Sequence, residues 1–236
     1  MKEENDKLEK IYTSGFLPFR NKLNLFYLAR SCRVDLDKFS LLSENRRILK
    51  KTADLNFAIK KMADFNYTPQ VQKQCKDWAK SRGWKISTKS LKFIFSNQFF
   101  NYLFVWEKRG QVVGYQIFYQ AKNFIHSAYV IYNSVQVGKE LAMRMLIEGS
   151  LWGQKNNQAL HYLGTSYGGS GFSKRSLAGF EFFNGFGWSD NLEEWKYLDS
   201  RKKDDYLLRD QEYLEQFWPE GKLNQILKAK GVSFKK

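Results

Sequence analysis

The chain has 236 residues, 39 Lys and Arg against 24 Asp and Glu for a formal charge of +15, and a composition 43% hydrophobic and 17% aromatic. That much apolar surface excludes a charge-rich disordered chain and suits one large domain or two interleaved lobes around a sizeable core. The charge excess attracts a phosphate-bearing polymer by counterion release, while the absence of a signal-like start or a long apolar run points to a cytoplasmic protein with no membrane partner.

Residues 1–12 read as a charged lead-in, and Gly15 to Pro18 as a turn-rich entry segment. A short strand is expected from Arg33 to Ser40. Ser43 stands as a capping-type serine before the basic run that ends at Lys51, with a turn or short strand around Phe57. Val71, Cys75, Trp78 and Ala79 recur at helical spacing, which predicts a helix from Thr68 to Arg82 with Pro69 in its first turn and Gly83 at its end. Lys80, Arg82, Lys85, Lys89 and Lys92 then interleave with Trp84 and Phe93, either as a surface that tracks a nucleic-acid backbone or as a solvated linker beside core aromatics.

Three aromatic and β-branched runs, Tyr102 to Glu107, Val112 to Tyr119 and Ile125 to Tyr132, are separated by compact turns and predict an antiparallel meander. A helix from Gly138 to Trp152 and a short buried strand at Leu160 to Leu163 follow. Glycines 164, 168, 169 and 171 make a loop, Lys174 to Phe183 reads as a second helix ending at Asn184-Gly185, and Gly187-Trp188 begins another strand or turn. Beyond Trp195 the chain is charge-mixed and expected to be helical between Asp204 and Phe217. This order predicts an α+β, GNAT-like splayed mixed sheet with an N-terminal strand and helix subdomain. The expected divisions are a basic N-terminal part at 1–95, a GNAT-like catalytic core at 96–192 and a charged C-terminal appendage at 193–236.

Over roughly residues 15 to 190 the sequence resembles the arginyl-tRNA-protein transferase family and its leucyl-transferring bacterial relatives. The likeness is carried by Gly15-Phe16, Arg33-Val34 through Phe39, Asn45-Arg46-Arg47, Gln111-Val112-Val113-Gly114, Val137-Gly138, Tyr162-Leu163-Gly164, Ser173-Lys174 and Glu181. Serine 173 stands where the family has tyrosine. The family's paired metal-associated cysteines have no counterpart, since Cys32 is out of register and Asn21 to Ala29 is largely apolar. The resemblance implies an aminoacyltransferase that uses aminoacyl-tRNA as co-substrate and moves arginine or leucine to the N-terminal amine of a protein or peptide whose first residue is acidic. The missing cysteine pairs lead to the expectation that no metal is needed, and no other cofactor is expected. The departures put acceptor recognition in doubt.

Transfer from an activated ester needs an unprotonated amine, alignment, oxyanion support and a proton for the leaving ribose, but no covalent nucleophile. Arg46 and Arg47 suit a tRNA acceptor end or an acidic acceptor residue, or form a solvated basic face. Lys174 suits terminal phosphates or is helix-surface charge. Glu181 suits an anchor for the aminoacyl amine, a base, or a salt bridge between helices. Tyr162 and Tyr167 suit adenine stacking or donation to the oxyanion, or belong to the core. Gly164, Gly168 and Gly169 permit close approach of backbone to ligand or simply connect elements, and Lys85 and Lys89 extend the RNA-binding surface. His126 and His161 read as structural imidazoles. Two alternatives remain. One is a CoA-dependent GNAT acetyltransferase, against which Gln136 to Glu140 offers one glycine and an acidic residue at the helix start. The other is a non-catalytic RNA-binding protein on the same fold.

Overall fold

The computed structural model describes residues 2–19, 22–97, 99–166, 174–200 and 210–218. In chain order, α1 (Lys2–Thr13) leads into a hairpin of β1 (Phe16–Phe19) and β2 (Lys22–Leu28), then β3 (Ser31–Asp35), α2 (Ser43–Lys51) and β4 (Leu55–Lys61). Two helices follow, α3 (Pro69–Ser81) and α4 (Thr88–Ser96), before the meander β5 (Tyr102–Lys108), β6 (Gln111–Gln120) and β7 (Phe124–Tyr132). The remainder is α5 (Ser134–Val137), α6 (Glu140–Lys155), β8 (Leu160–Thr165), β9 (Phe180–Phe183), β10 (Trp188–Ser189), α7 (Leu192–Ser200) and α8 (Gln211–Phe217).

Eight strands form one sheet in the order β10-β9-β3-β8-β7-β6-β5-β4. Every neighbouring pair is antiparallel except β7 and β8. The meander matches its expectation because Arg109 and Gly110 both take positive φ, the pairing a two-residue hairpin turn demands. β3 and β4 lie before residue 95 yet share this sheet with the strands that follow it.

The parallel pair holds the feature that shapes the site. β7 and β8 are paired only through Phe124 to His126 against Leu160 to Tyr162, although β7 continues to Tyr132 and β8 to Thr165. The register between β6 and β7 jumps at the same level, with Ile117 opposite Tyr129 but Phe118 opposite Ser127, so Ala128 is an extra residue. A bulge bends its strand; here it turns β7 away from β8 and leaves Ala128, Tyr129 and Val130 half-exposed in a strand that is central to the sheet.

Two helical layers cover the sheet. On one face α1, the β1–β2 hairpin, α3 and α4 pack Tyr12, Trp78 and Leu91 over Tyr115, Phe124 and Tyr162. On the other, α2, α6, α7 and α8 pack Ile48, Leu146, Trp195 and Tyr213 over Val34, Phe180 and Phe182, while Leu141 and Met145 meet Phe118 and Ile125. Glycines set how closely α6 lies on the sheet: a Cβ at Gly149 would stand 2.9 Å from the His161 ring, and one at Gly153 2.8 Å from Leu36.

Several elements differ from expectation. Gly15 to Pro18 opens a hairpin rather than a loop, and the lead-in is helical. The stretch 174–183 is a single 3-10 turn, Lys174–Ser176, followed by strand β9. Gly179 takes φ +75°, and a Cβ there would collide with the Asp35 carbonyl, so the chain breaks from helical conformation and Phe180 to Phe183 pair with β3. The basic run after Gly83 starts α4, because Ser87 Oγ caps the Ser90 N–H and Leu91, Ile94 and Phe95 turn inward while Lys89 and Lys92 stay outside. Of the expected C-terminal appendage, Trp195, Leu198, Tyr213 and Trp218 are buried in the core. The buried Glu194 carboxylate binds them together by accepting from Asn184, Ser189 and Tyr213. The expected helix from 204 is described only as Gln211–Phe217; residues 201–209 lie outside the described residues.

Candidate active site

Strand alternation sends Phe180 and Phe182 of β9 toward the α2 and α7 layer and Glu181 to the opposite face. Cross-strand register then builds a polar row. Glu181 is opposite Arg33 in β3, Arg33 opposite Tyr162 in β8, and Tyr162 beside His126 in β7. Glu181 and Tyr162, expected as catalytic residues, are thus brought to one face with Arg33 between them.

Arg33 Nε donates to Glu181 Oε2 at 2.7 Å, and the two side chains are only 13% and 15% exposed. The guanidinium also sits 3.9 Å from the centre of the Trp188 ring, a cation-π contact that strengthens with desolvation. The second carboxylate oxygen of Glu181 faces the Lys38 ammonium at 3.7 Å. Both carboxylate oxygens of Glu181 therefore face cations of this chain, Arg33 and Lys38.

Tyr162 is buried, and its hydroxyl lies next to Arg33 without a hydrogen bond of regular geometry. Burial pushes its pKa up to about 12, which keeps the phenol protonated and able to donate. Tyr12 of α1 packs against the row, its ring 4.9 Å from that of Tyr162 and its hydroxyl 3.0 Å from His126 Nδ1. Burial, with the nearby Lys174 charge, takes the His126 pKa down to about 3, so the ring is neutral.

The splay opens beside this row. Lys174 Nζ donates to the carbonyl of Thr165, the last residue of β8, at 2.6 Å, and burial lowers its pKa. On the diverging end of β7, Arg82 Nη1 reaches the Val130 carbonyl at 3.5 Å and its guanidinium lies 4.3 Å from the Tyr132 ring centre. Each diverging strand end therefore carries one cation. Gly164, at φ +81°, sits on the same end of β8.

The start of α6 has a different occupant. The Glu140 carboxylate folds back over Gly138, accepts from its own backbone N–H and pairs with Lys51, which holds its pKa below the usual carboxylate range. The positive end of the helix is thus already compensated by an internal anion.

The other expected residues are more dispersed. Arg46 and Arg47 are exposed on α2, in the layer on the far side of the sheet from Glu181; Arg46 donates to the Leu41 carbonyl and Arg47 makes two 2.7 Å bonds to Glu44. Lys85 and Lys89 are exposed around the start of α4. Tyr167, Gly168 and Gly169 lie outside the described residues. Arg33, Tyr12 and Trp188 were not expected as site residues, although Arg33-Val34 belongs to the stretches that carry the family likeness. Among the described residues no group of three His, Cys, Asp or Glu side chains could hold a metal ion, and no helix is long and apolar enough to cross a membrane.

No family model and no curated protein matches the chain. Among solved structures it is similar to the C-terminal domain of a protein named as a lysylphosphatidylglycerol synthetase from Agrobacterium fabrum, at 15% identity and TM-score 0.47 over 67% of this chain and 51% of that one. A fungal glucosamine N-acetyltransferase region of a multi-domain β-N-acetylglucosaminidase matches at 9% identity and TM-score 0.44, over 76% of this chain and 22% of that one. An aminoglycoside acetyltransferase from an uncultured soil metagenomic sample matches at 9% identity and TM-score 0.30, over 44% and 74%. The chain spans about half the length of the first of these. Likeness at this level assigns neither substrate nor reaction. What the strand order, the bulged β7 and the parting of β7 from β8 establish is the fold, a mixed α+β sheet of GNAT-like type.

Proposed function

We propose that the protein is an acyltransferase that moves an aminoacyl group from charged tRNA to an amine, the N-terminal amine of a protein or peptide being the acceptor implied by the family resemblance. The observation that carries this choice of donor is Glu140. A CoA-type donor needs the α6 start for its pyrophosphate, and a carboxylate already paired with Lys51 lies there. Among the described residues, two cations without an ion-pair partner lie elsewhere, Arg82 and Lys174 on the two sides of the splay, each held on a backbone carbonyl, and the overall charge of +15 suits a polyanionic donor.

In this reading the aminoacyl ester enters the splay with its α-ammonium toward Glu181. The acceptor nitrogen, unprotonated, attacks the ester carbonyl; a C–N bond forms, the C–O bond to the ribose breaks, and the proton lost by the amine ends on the ribose oxygen. Tyr162 donates to the carbonyl oxygen as negative charge develops on it. Arg33 positions both residues. Arg46, Arg47, Lys85 and Lys89 act only on the tRNA body, through phosphates.

The test offers a full set of labelled aminoacyl-tRNAs with varied acceptor peptides, alongside acetyl-CoA with the same peptides. Labelled peptide from one or a few aminoacyl-tRNAs is expected. Consumption of acetyl-CoA with no aminoacyl product would replace this reading by the CoA-dependent one.

A further inference from the structure

The positive charge of the molecule is unevenly placed. Residues 60–92, which span the end of β4, all of α3 and the first half of α4, carry nine Lys and Arg against two Asp. All nine are exposed, and among the described residues only Lys73 is ion-paired, to Asp77 at 2.8 Å. On α2, by contrast, Arg47 is paired with Glu44, Arg46 donates to a backbone carbonyl and Lys51 is paired with Glu140. Among the described residues, the cations of the α3–α4 layer other than Lys73 have no ion-pair partner.

Between α3 and the start of α4 lies a groove of about 830 Å3 lined by Lys76, Lys80 and Lys85 and by one carboxylate, Asp77, which is paired with Lys73, with Trp84 in its wall. Arg82, at the end of α3, reaches from this layer to the Val130 carbonyl on the splayed part of β7. None of the large exposed apolar side chains falls within residues 60–92, the nearest in sequence being Ile59 in β4 and Val135 in α5, so neither α3 nor α4 carries the apolar stripe that seats a helix in a lipid surface. A helix of 13 residues is about 20 Å long, enough to face several phosphates in succession.

We infer that the α3–α4 layer is an RNA-binding surface: Lys76, Lys80 and Lys85 hold the phosphate backbone in the groove beside Trp84, and Arg82 guides the strand from there to the cleft between β7 and β8. The inference deepens the tRNA-dependent reading, on which it rests for what the RNA carries. It does not rest on that reading for the binding itself.

Binding of unfractionated tRNA is measured over a salt series for the full chain, for the triple variant Lys76→Ala, Lys80→Ala, Lys85→Ala, for Arg46→Ala with Arg47→Ala, and for a far-layer control, Lys155→Ala with Lys196→Ala. All these side chains are exposed, and unchanged melting verifies folding. The triple variant is expected to bind at least about tenfold more weakly at moderate salt, with the slope of log K against log salt reduced by about one per lysine that meets a phosphate. The control should bind as the unaltered protein does, and the α2 pair should lose less than the triple variant. The inference is overturned if the triple variant stays within about twofold of the unaltered protein, if the α2 pair costs more, or if phosphatidylglycerol vesicles or polyglutamate are retained more tightly than tRNA by the same three lysines. The two readings fail separately. Lysine-dependent tRNA binding without aminoacyl transfer removes the transferase reading and keeps the surface, while undiminished transfer and binding in the triple variant removes the surface alone.

Discussion

The two faces of the sheet carry a buried histidine each, one residue apart in register, and they use it differently. His161 looks toward α6, where Nε2 meets Ser127 at 2.7 Å and Nδ1 meets Ser150 at 2.9 Å, while Gln116 donates to Ser127 and to the Met145 carbonyl. Both ring nitrogens are satisfied and enclosed, the pattern of a polar cluster that fixes a helix on a sheet. His126 looks the other way, into a row that ends in a part-buried ion pair and includes a buried phenol without a regular partner. Unmet polar capacity next to a cleft is what a substrate can use; the cluster around His161, although Gln116 Oε1 also lacks a partner, is enclosed between α6 and the sheet, where it serves the fold.

Acid should strain both faces together. Burial takes each histidine down to about 3 from an unfolded value near 6.5. Between those limits the unfolded chain binds protons that the folded chain refuses, so stability is full above about pH 6.5 and falls as pH drops toward 3. The expected slope is about 1.4 kcal/mol per pH unit for each histidine, read from urea midpoints. His126→Gln should halve it; an unchanged slope would mean that only the α6 face excludes protons.

Arg33→Ala attacks the other network. It leaves Glu181 part-buried without its main cation, at a cost of roughly 2–4 kcal/mol, less than for a fully buried pair, and aminoacyl transfer should be lost beyond what stability explains. Denaturant unfolding and an initial-rate assay read the two quantities on one preparation.

The sharpest contrast comes from two hydroxyl deletions. Tyr162→Phe removes a group with no regular hydrogen bond, so melting should barely move, while transfer should fall about 100-fold if the phenol supports the oxyanion. Ser127→Ala should do the reverse, costing about 1–3 kcal/mol by orphaning His161 Nε2 and leaving transfer unaltered. If Tyr162→Phe destabilises the protein and leaves transfer alone, the row is structural like its counterpart.

The parts that local chemistry dictates were legible in the sequence. The helix expected from Thr68 does begin there, with Thr68 Oγ1 accepting from the Val71 N–H at 3.3 Å and Pro69 in the first turn, and Arg109-Gly110 does turn the meander. What escaped depends on contacts between distant segments. The run after Lys174 contains Leu177 and Phe180 at helical spacing, but Phe180, Phe182 and the Glu181 between them alternate as a strand, and only the closeness of Gly179 to Asp35 decides between the periods. Glu181 was therefore identified by type and misplaced by element. Arg33 was visible as part of a motif, yet its place between Tyr162 and Glu181 arises from two antiparallel pairings across more than 120 residues. The hairpin at 16–28 escaped because Gly15 serves close packing against Phe183 as much as a local turn.

The bulge at Ala128 also leaves a signature in time. Interior strands ordinarily protect their amides until the whole domain opens, whereas the amides of residues 127–132 that turn away from β6 have no strand partner in β8. In deuterated buffer the middle of the sheet should thus show a fast-exchanging stretch flanked by slow neighbours, and any molecule that settles between β7 and β8 should slow it.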